Sequence, residues 1–274
     1  MYRVIKVLNN NGVLVYDMDR GEEAILLGSG IGFGKRVNER FEDDRNAKRY
    51  AIADREEKNR TGRQVIGSMN PVFLELAGRI VEMAGQELGK LNPNILVSLA
   101  DHIAVAAERM QNGIILKNPF HKDIRILYPE EYQVAVKGCE LTETMTGCKL
   151  CEDEIGYIAL HIRAGRMDER LEESLQMVAL MRMVTARVEE ALQIMIDPSS
   201  LAFERFMAHL RYLIVRIRDG EPVTLDMDEY ARTQFPEMYR LAEEICKEMG
   251  SELHKPVPKE AVGHLAIHME RVRR

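Results

Sequence analysis

The long C-terminal part of the chain repeats itself, and histidines fall at matching positions. A register of 107 residues carries His102 onto His209, Arg109 onto Arg216, Gly113 onto Gly220 and Pro129-Glu130 onto Pro236-Glu237. The same register carries Tyr132 onto Tyr239, Gly156 onto Gly263, Ala159 onto Ala266 and His161 onto His268. Two homologous domains follow from this. Imidazole is the side chain whose charge and nucleophilicity are available near neutral pH, so a duplicated histidine pair invites a chemical or switching role.

The chain has 274 residues, more than one compact domain usually holds. Two repeats of about 100 residues leave an N-terminal piece of roughly 60, too small to bury much core alone. The expected division is residues 1–58, 66–170 and 175–274. With 46% hydrophobic and 30% charged residues, the composition is that of a globular protein. No apolar run approaches the ~18 residues of a membrane span, and Arg3 and Lys6 interrupt any signal-peptide core. A cytoplasmic protein without membrane insertion is expected.

The net charge is −6, yet residues 1–60 hold 12 Lys+Arg against 11 Asp+Glu. That balance excludes a broad positive face for nucleic acid, so any such contact must be local and specific. Cys139, Cys148, Cys151 and Cys246 are the four cysteines. Cys139, Cys148 and Cys151 with His121 or His161 would make a zinc set, but the other repeat offers nothing comparable, and reduced thiols are expected instead. No His-Glu-x-x-His motif and no nucleotide loop occur. No metal, cofactor or enzymatic activity is expected.

The N-terminal piece reads as strands. Residues 2–8 and 13–16 are β-branched or aromatic-rich, and Asn9-Asn10-Asn11-Gly12 between them is a hairpin signal, because Asn and Gly tolerate positive φ. A third run, residues 23–27, leads into Gly28-Ser29-Gly30-Ile31-Gly32-Phe33-Gly34-Lys35-Arg36, read as the entry to a fourth strand. The charged stretch from Glu42 to Thr61 reads as a tail and linker. The asparagines offer amide donors and acceptors suited to base edges and 2′-hydroxyls. The glycines let the backbone approach a polyanion, and Phe33 could stack on an unpaired base. A plain turn and a bulged strand would account for the same residues without any ligand.

The repeats read as helical bundles. Residues 95–111 place apolar side chains at 95, 96, 99, 103, 106 and 110, a 3.6-residue period, and residues 203–217 do the same. His102 and His209 border these stripes, while His161 and His268 sit in matched helical segments. Residues 71–89 and 171–196 supply further amphipathic helices. Core histidines would survive a duplication equally well, so the pattern alone leaves both readings open. His121, His254 and His264 have no matching histidine and read as surface or packing residues.

Lys6-Val7-Leu8-Asn9-Asn10-Asn11, then residues 28–35, then two repeats with paired histidines, together resemble the transcriptional antiterminators of the BglG/SacY type. The resemblance covers essentially the whole chain. Residues 117–120, 128–132 and 154–162 look most like the glucose-responsive branch. The resemblance implies a multidomain fold: a small antiparallel β-sheet RNA-binding domain that dimerises, followed by two homologous all-α domains. It implies that Lys6, Asn11, Gly28 and Phe33 contact an imperfect RNA hairpin, that Asn9 and Asn10 shape the turn, and that Gly30 and Lys35 belong to the same surface. Ser29 departs from the family, whose members often carry Arg or Lys there, and Gly12 departs from an apolar position.

His102, His161, His209 and His268 match the family's phosphoacceptors. The resemblance implies that the sugar-specific transporter of the phosphotransferase system phosphorylates the first regulation domain and silences the protein. It also implies that the general phosphocarrier protein can act on the second. Asp101, Arg109 and Arg216 are the neighbours expected to sense the added charge. Two rivals remain at this point: a DNA-binding activator with the same regulation domains, which needs an N-terminal helix-turn-helix, and a histidine phosphotransferase or metal hydrolase.

Overall fold

The computed structural model describes residues 1–42, 47–52, 66, 68–222 and 226–273. They form two units, Met1–Ser174 and Leu175–Arg274. The first opens with strands β1 (Tyr2–Asn9), β2 (Gly12–Asp17) and β3 (Glu22–Leu27), then β4 (Arg40–Phe41) and β5 (Lys48–Ala51). All neighbours are antiparallel, in the order β4-β1-β2-β3-β5.

The expected fourth strand is displaced. Residues 28–36 form successive turns, with positive φ at Gly30 and Gly34, and the chain rejoins the sheet only at Arg40. The further strand β5 comes from the segment read as a charged tail, where Ile25 pairs with Tyr50. Alternation sorts the two sheet faces. Val13, Val15, Ala24 and Leu26 join Ile31 in one cluster, covered in part by Tyr2, Val7, Phe41 and Ala47. Leu14, Ile25 and Tyr50, paired across strands, are buried on the other face.

That second face meets helix α1 (Pro71–Leu88). A β-carbon at Gly78 would stand 2.6 Å from the Leu27 side chain, so the absence of one lets the sheet sit close. Lys48 Nζ lies 2.6 Å from Glu82 at the same contact. The rest of the unit is α2 (Ile95–Gln111), α3 (His121–Leu127), α4 (Pro129–Thr146) and α5 (Glu152–Met167). The second unit is formed by α6 (Leu171–Leu192, which begins before the division), α7 (Leu201–Asp219), α8 (Asp228–Gln234), α9 (Pro236–Leu253) and α10 (Lys259–Arg273).

The 107-residue register is therefore structural: it carries α3 onto α8 and α4 onto α9, residue for residue. Both α4 and α9 start on a proline, whose missing N–H costs nothing at the first helical position. The α2 and α7 stripes are buried as their period requires, with Leu99 and Ile103 in one and Phe206 and Leu210 in the other. The matched glycines have matched reasons. A β-carbon on Gly156 would lie 2.8 Å from Asn118 Nδ2, and one on Gly263 would lie 2.8 Å from Asp228 Cα.

Candidate RNA surface and histidine sites

The asparagine turn and the glycine loop are one structure. Asn9 Oδ1 accepts from the Asn11 amide at 2.8 Å, a local bond that closes the β1–β2 turn. Asn11 Oδ1 accepts from the Gly30 amide at 3.0 Å, while the Gly28 and Gly32 amides donate to the carbonyls of Asn11 and Asn10. A β-carbon at Gly32 would overlap the Asn9 carbonyl oxygen, so glycine alone fits there. Asn10, Ser29 and Lys6 are exposed, and Phe33 is 70% exposed, the most open of the exposed aromatic rings among the described residues.

Two residues of this group also make contacts within the protein. Asn11 spends its carbonyl oxygen on holding the loop. Lys35 pairs with Glu39 at 2.8 Å and lies 4.3 Å from the Phe41 ring centroid, so its ammonium is already engaged by the protein.

Each repeat brings its two histidines together. His102, on α2, and His161, on α5, have ring centroids 5.1 Å apart. His161 is only 4% exposed, and its Nε2 is buried without a hydrogen-bond partner among the described residues. Burial, and then the nearby His102, push its pKa down to about 3. His102 keeps 17% of its side-chain surface, and its Nε2 lies 3.1 Å from a Glu154 oxygen. The other Glu154 oxygen accepts from Arg109 at 2.8 Å. Burial works to raise the Glu154 pKa, yet His102 and Arg109 outweigh it and hold the carboxyl below its ordinary range. The Tyr157 ring sits 5.6 Å from that of His102.

The second repeat solves the same geometry with other neighbours. His209, on α7, and His268, on α10, stack face to face at 3.7 Å with their planes 17° apart. They line a cavity of about 360 Å³ with Arg216, His264, Tyr212 and Leu213. Burial, then His209 and Arg271, lower the His268 pKa to about 4, and burial lowers that of the exposed His209. The register sets Ala261 opposite Glu154 and His264 opposite Tyr157. So the first site holds a buried carboxylate and the second a third imidazole.

Of the neighbours expected to read a phosphate, Arg109 and Arg216 stand beside their pairs, while Asp101 lines a separate groove with Asn70 and Gln111. Glu154 was missed because it reads as an ordinary acid in the first turn of a helix. His264, expected at the surface or in packing, lines the cavity. Comparing unlike residues across the register, and not only identical ones, would have singled out both. Among the described residues, the N-terminal segment holds strands where a helix-turn-helix would be needed. No helix among the described residues is long and apolar enough to cross a membrane.

A model described as the CAT RNA binding domain matches residues 2–59, and one described as the PRD domain matches residues 78–165 and 182–272. The chain is 31% identical to the PtsGHI operon antiterminator of Bacillus subtilis, over 99% of this chain and 97% of that protein. It is 28% identical to the transcription antiterminator LicT of the same organism, over 98% of each. A crystal structure of GlcT CAT-PRDI aligns with 60% of this chain and 97% of its own at a TM-score of 0.51 and 34% identity.

Proposed function

The chain belongs to the BglG/SacY-type transcriptional antiterminators, which join a CAT RNA-binding domain to PRD domains, and from this we propose a specific division of labour among its residues. As an antiterminator it binds a hairpin in the leader of a sugar-transport or sugar-utilisation transcript and prevents the terminator from forming. Lys6, Asn10, Ser29 and Phe33 meet the RNA, on a frame built by Asn9, Asn11, Gly28 and Gly30. The working form is a homodimer, and Lys35 joins the RNA surface by leaving Glu39. The domains run over residues 1–58, 66–170 and 175–274.

The observation that carries this reading is the bond from Gly30 to Asn11, which fuses two separate sequence motifs into one loop crowned by an exposed Phe33. Aromatic stacking on an unpaired base is worth on the order of 1–3 kcal/mol and needs no broad positive charge. That suits a nearly neutral sheet domain.

His102, His161, His209 and His268 are the phosphoacceptors, served by the phosphocarrier protein and the sugar-specific transporter of the phosphotransferase system. A phosphoryl group brings about two negative charges into sites that are packed and partly desolvated. Unpaired, such charge costs several kcal/mol, so the domains rearrange to expose it or pair it. His161 accepts only after α2 and α5 part, because its ring is buried at rest.

Transcription through a leader hairpin and terminator, with the full chain added before and after treatment with the charged relay proteins, tests the whole reading. Readthrough should rise with the untreated protein and change once the histidines are labelled. A chain that binds the hairpin no better than scrambled duplex, or whose readthrough ignores labelling, would refute it.

A further inference from the structure

Among the described residues, a buried carboxylate stands against one of the two histidine pairs and not the other. Glu154 lies in the first turn of α5, where the helix dipole favours negative charge, and its side chain is 1% exposed. It touches His102 with one oxygen and Arg109 with the other. At the corresponding place in the second repeat, the side chain of the buried Ala261 has no polar atom to offer. His102 turns Nε2 inward, where that atom is buried, although the ring as a whole reaches solvent.

We propose that Glu154 is a positioning residue for His102, holding the tautomer with its hydrogen on Nε2 and leaving the lone pair of Nδ1 as the phosphoryl acceptor. The inference rests on the phosphoacceptor reading above. The Nε2 approach to the carboxylate is off the axis of a well-formed hydrogen bond in the resting protein. Such contacts often tighten only as charge develops.

In the transfer, the Nδ1 lone pair attacks the phosphorus of a donor N-phosphohistidine that is protonated on its second ring nitrogen. The donor P–N bond breaks, its electron pair stays with the donor, and the donor leaves as neutral imidazole. The His102 ring then carries the phosphoryl group on Nδ1, a hydrogen on Nε2 and a positive charge. Glu154 faces that charge, in the way a buried carboxylate stabilises the imidazolium of a hydrolase triad. Arg109, held by the same carboxylate, remains within reach of the new phosphate.

Phosphoramidate, a small donor that needs no protein docking, tests this on the full chain. Peptide mapping follows the labelling rate at each histidine, and 31P–15N NMR identifies the nitrogen that carries the phosphoryl group. His102 should be labelled on Nδ1. Glu154→Gln, which keeps the shape but removes the charge, should slow labelling at His102 by about tenfold or more. Labelling at His209 and His268 should stay unchanged, and Glu154→Asp should recover part of the rate. Phosphoryl on Nε2 of wild-type His102 overturns the proposal however the variants fold, and so does an unchanged rate in Glu154→Gln. If none of the four repeat histidines accepts from phosphoramidate or from the charged phosphocarrier, the phosphoacceptor reading itself falls.

Discussion

The side-chain oxygen of Asn11 and the amide of Gly30 form a 3.0 Å hydrogen bond across 19 residues, tying the β1–β2 turn to the glycine loop. Removing the oxygen leaves a partly buried amide without that partner, at a cost on the order of 1 kcal/mol. Asn11→Ala should therefore lower both thermal stability and RNA affinity. Phe33→Ala, which removes an exposed ring, should leave the melting curve in place and weaken hairpin binding by on the order of 1–3 kcal/mol. Melting and hairpin titration of the two variants side by side separate frame from contact. Equal effects of both on stability would contradict the assignment.

Gly32 tests the same frame from its other end. Any side chain there enters the space of the Asn9 carbonyl oxygen, which is backbone and cannot swing away. Gly32→Ala should cost about 1–3 kcal/mol by overpacking and disturb the amide resonances of residues 9–12. Gly34, with open space around it, should tolerate alanine sterically and pay only for its positive φ.

What the sequence made legible follows from how each feature is encoded. β1 and β2 are rich in β-branched side chains, β3 ends in an apolar run, and α2 and α7 carry a 3.6-residue stripe; these patterns are set by burial, which the order of apolar residues reports directly. β4 is two residues, too short to carry a pattern, and β5 begins Lys48-Arg49, so backbone pairing to β3 makes it a strand while its side chains read as a linker. The histidine pairs were visible as a spacing. Their unequal surroundings were not, because Glu154 and Ala261 differ in chemistry at one register position and an alignment of identities passes over them. The burial of His161 was half visible, since Leu160 and Ile162 flank it in a helical segment.

Glu131 shows the same blindness to buried charge. It is 2% exposed and takes Arg163 and Arg166 at 3.1 Å each, with Arg163 itself 7% exposed over the Tyr128 ring. The second repeat sets Met238 at that position, an apolar answer to the same packing. Breaking a buried pair strands the remaining charge, so Glu131→Ala should destabilise the first unit by about 3–5 kcal/mol in urea titration. Arg166→Ala should cost far less, because its guanidinium is partly exposed and pairs also with the exposed Glu130.

Acid should weaken the fold before the ordinary carboxylates titrate, and His161 is the reason. Its pKa is 6.5 when unperturbed and about 3 in the folded chain, because burial opposes the charged ring. Between those values the unfolded chain binds a proton that the folded one does not, so stability rises with pH through that window. The contribution is complete above pH 6.5 and is lost as pH falls, at about 1.4 kcal/mol per unit, or about 2 kcal/mol by pH 5. His268, lowered to about 4, adds a loss of the same sign in the second unit, reduced because part of its ring meets water. Replacing the ring by a side chain that does not titrate, His161→Gln, should flatten the first unit's stability between pH 6.5 and 5 whatever it does to stability at pH 8. Urea titrations at four pH values compare the slopes directly, and a slope in His161→Gln equal to the wild type would place the titrating group elsewhere.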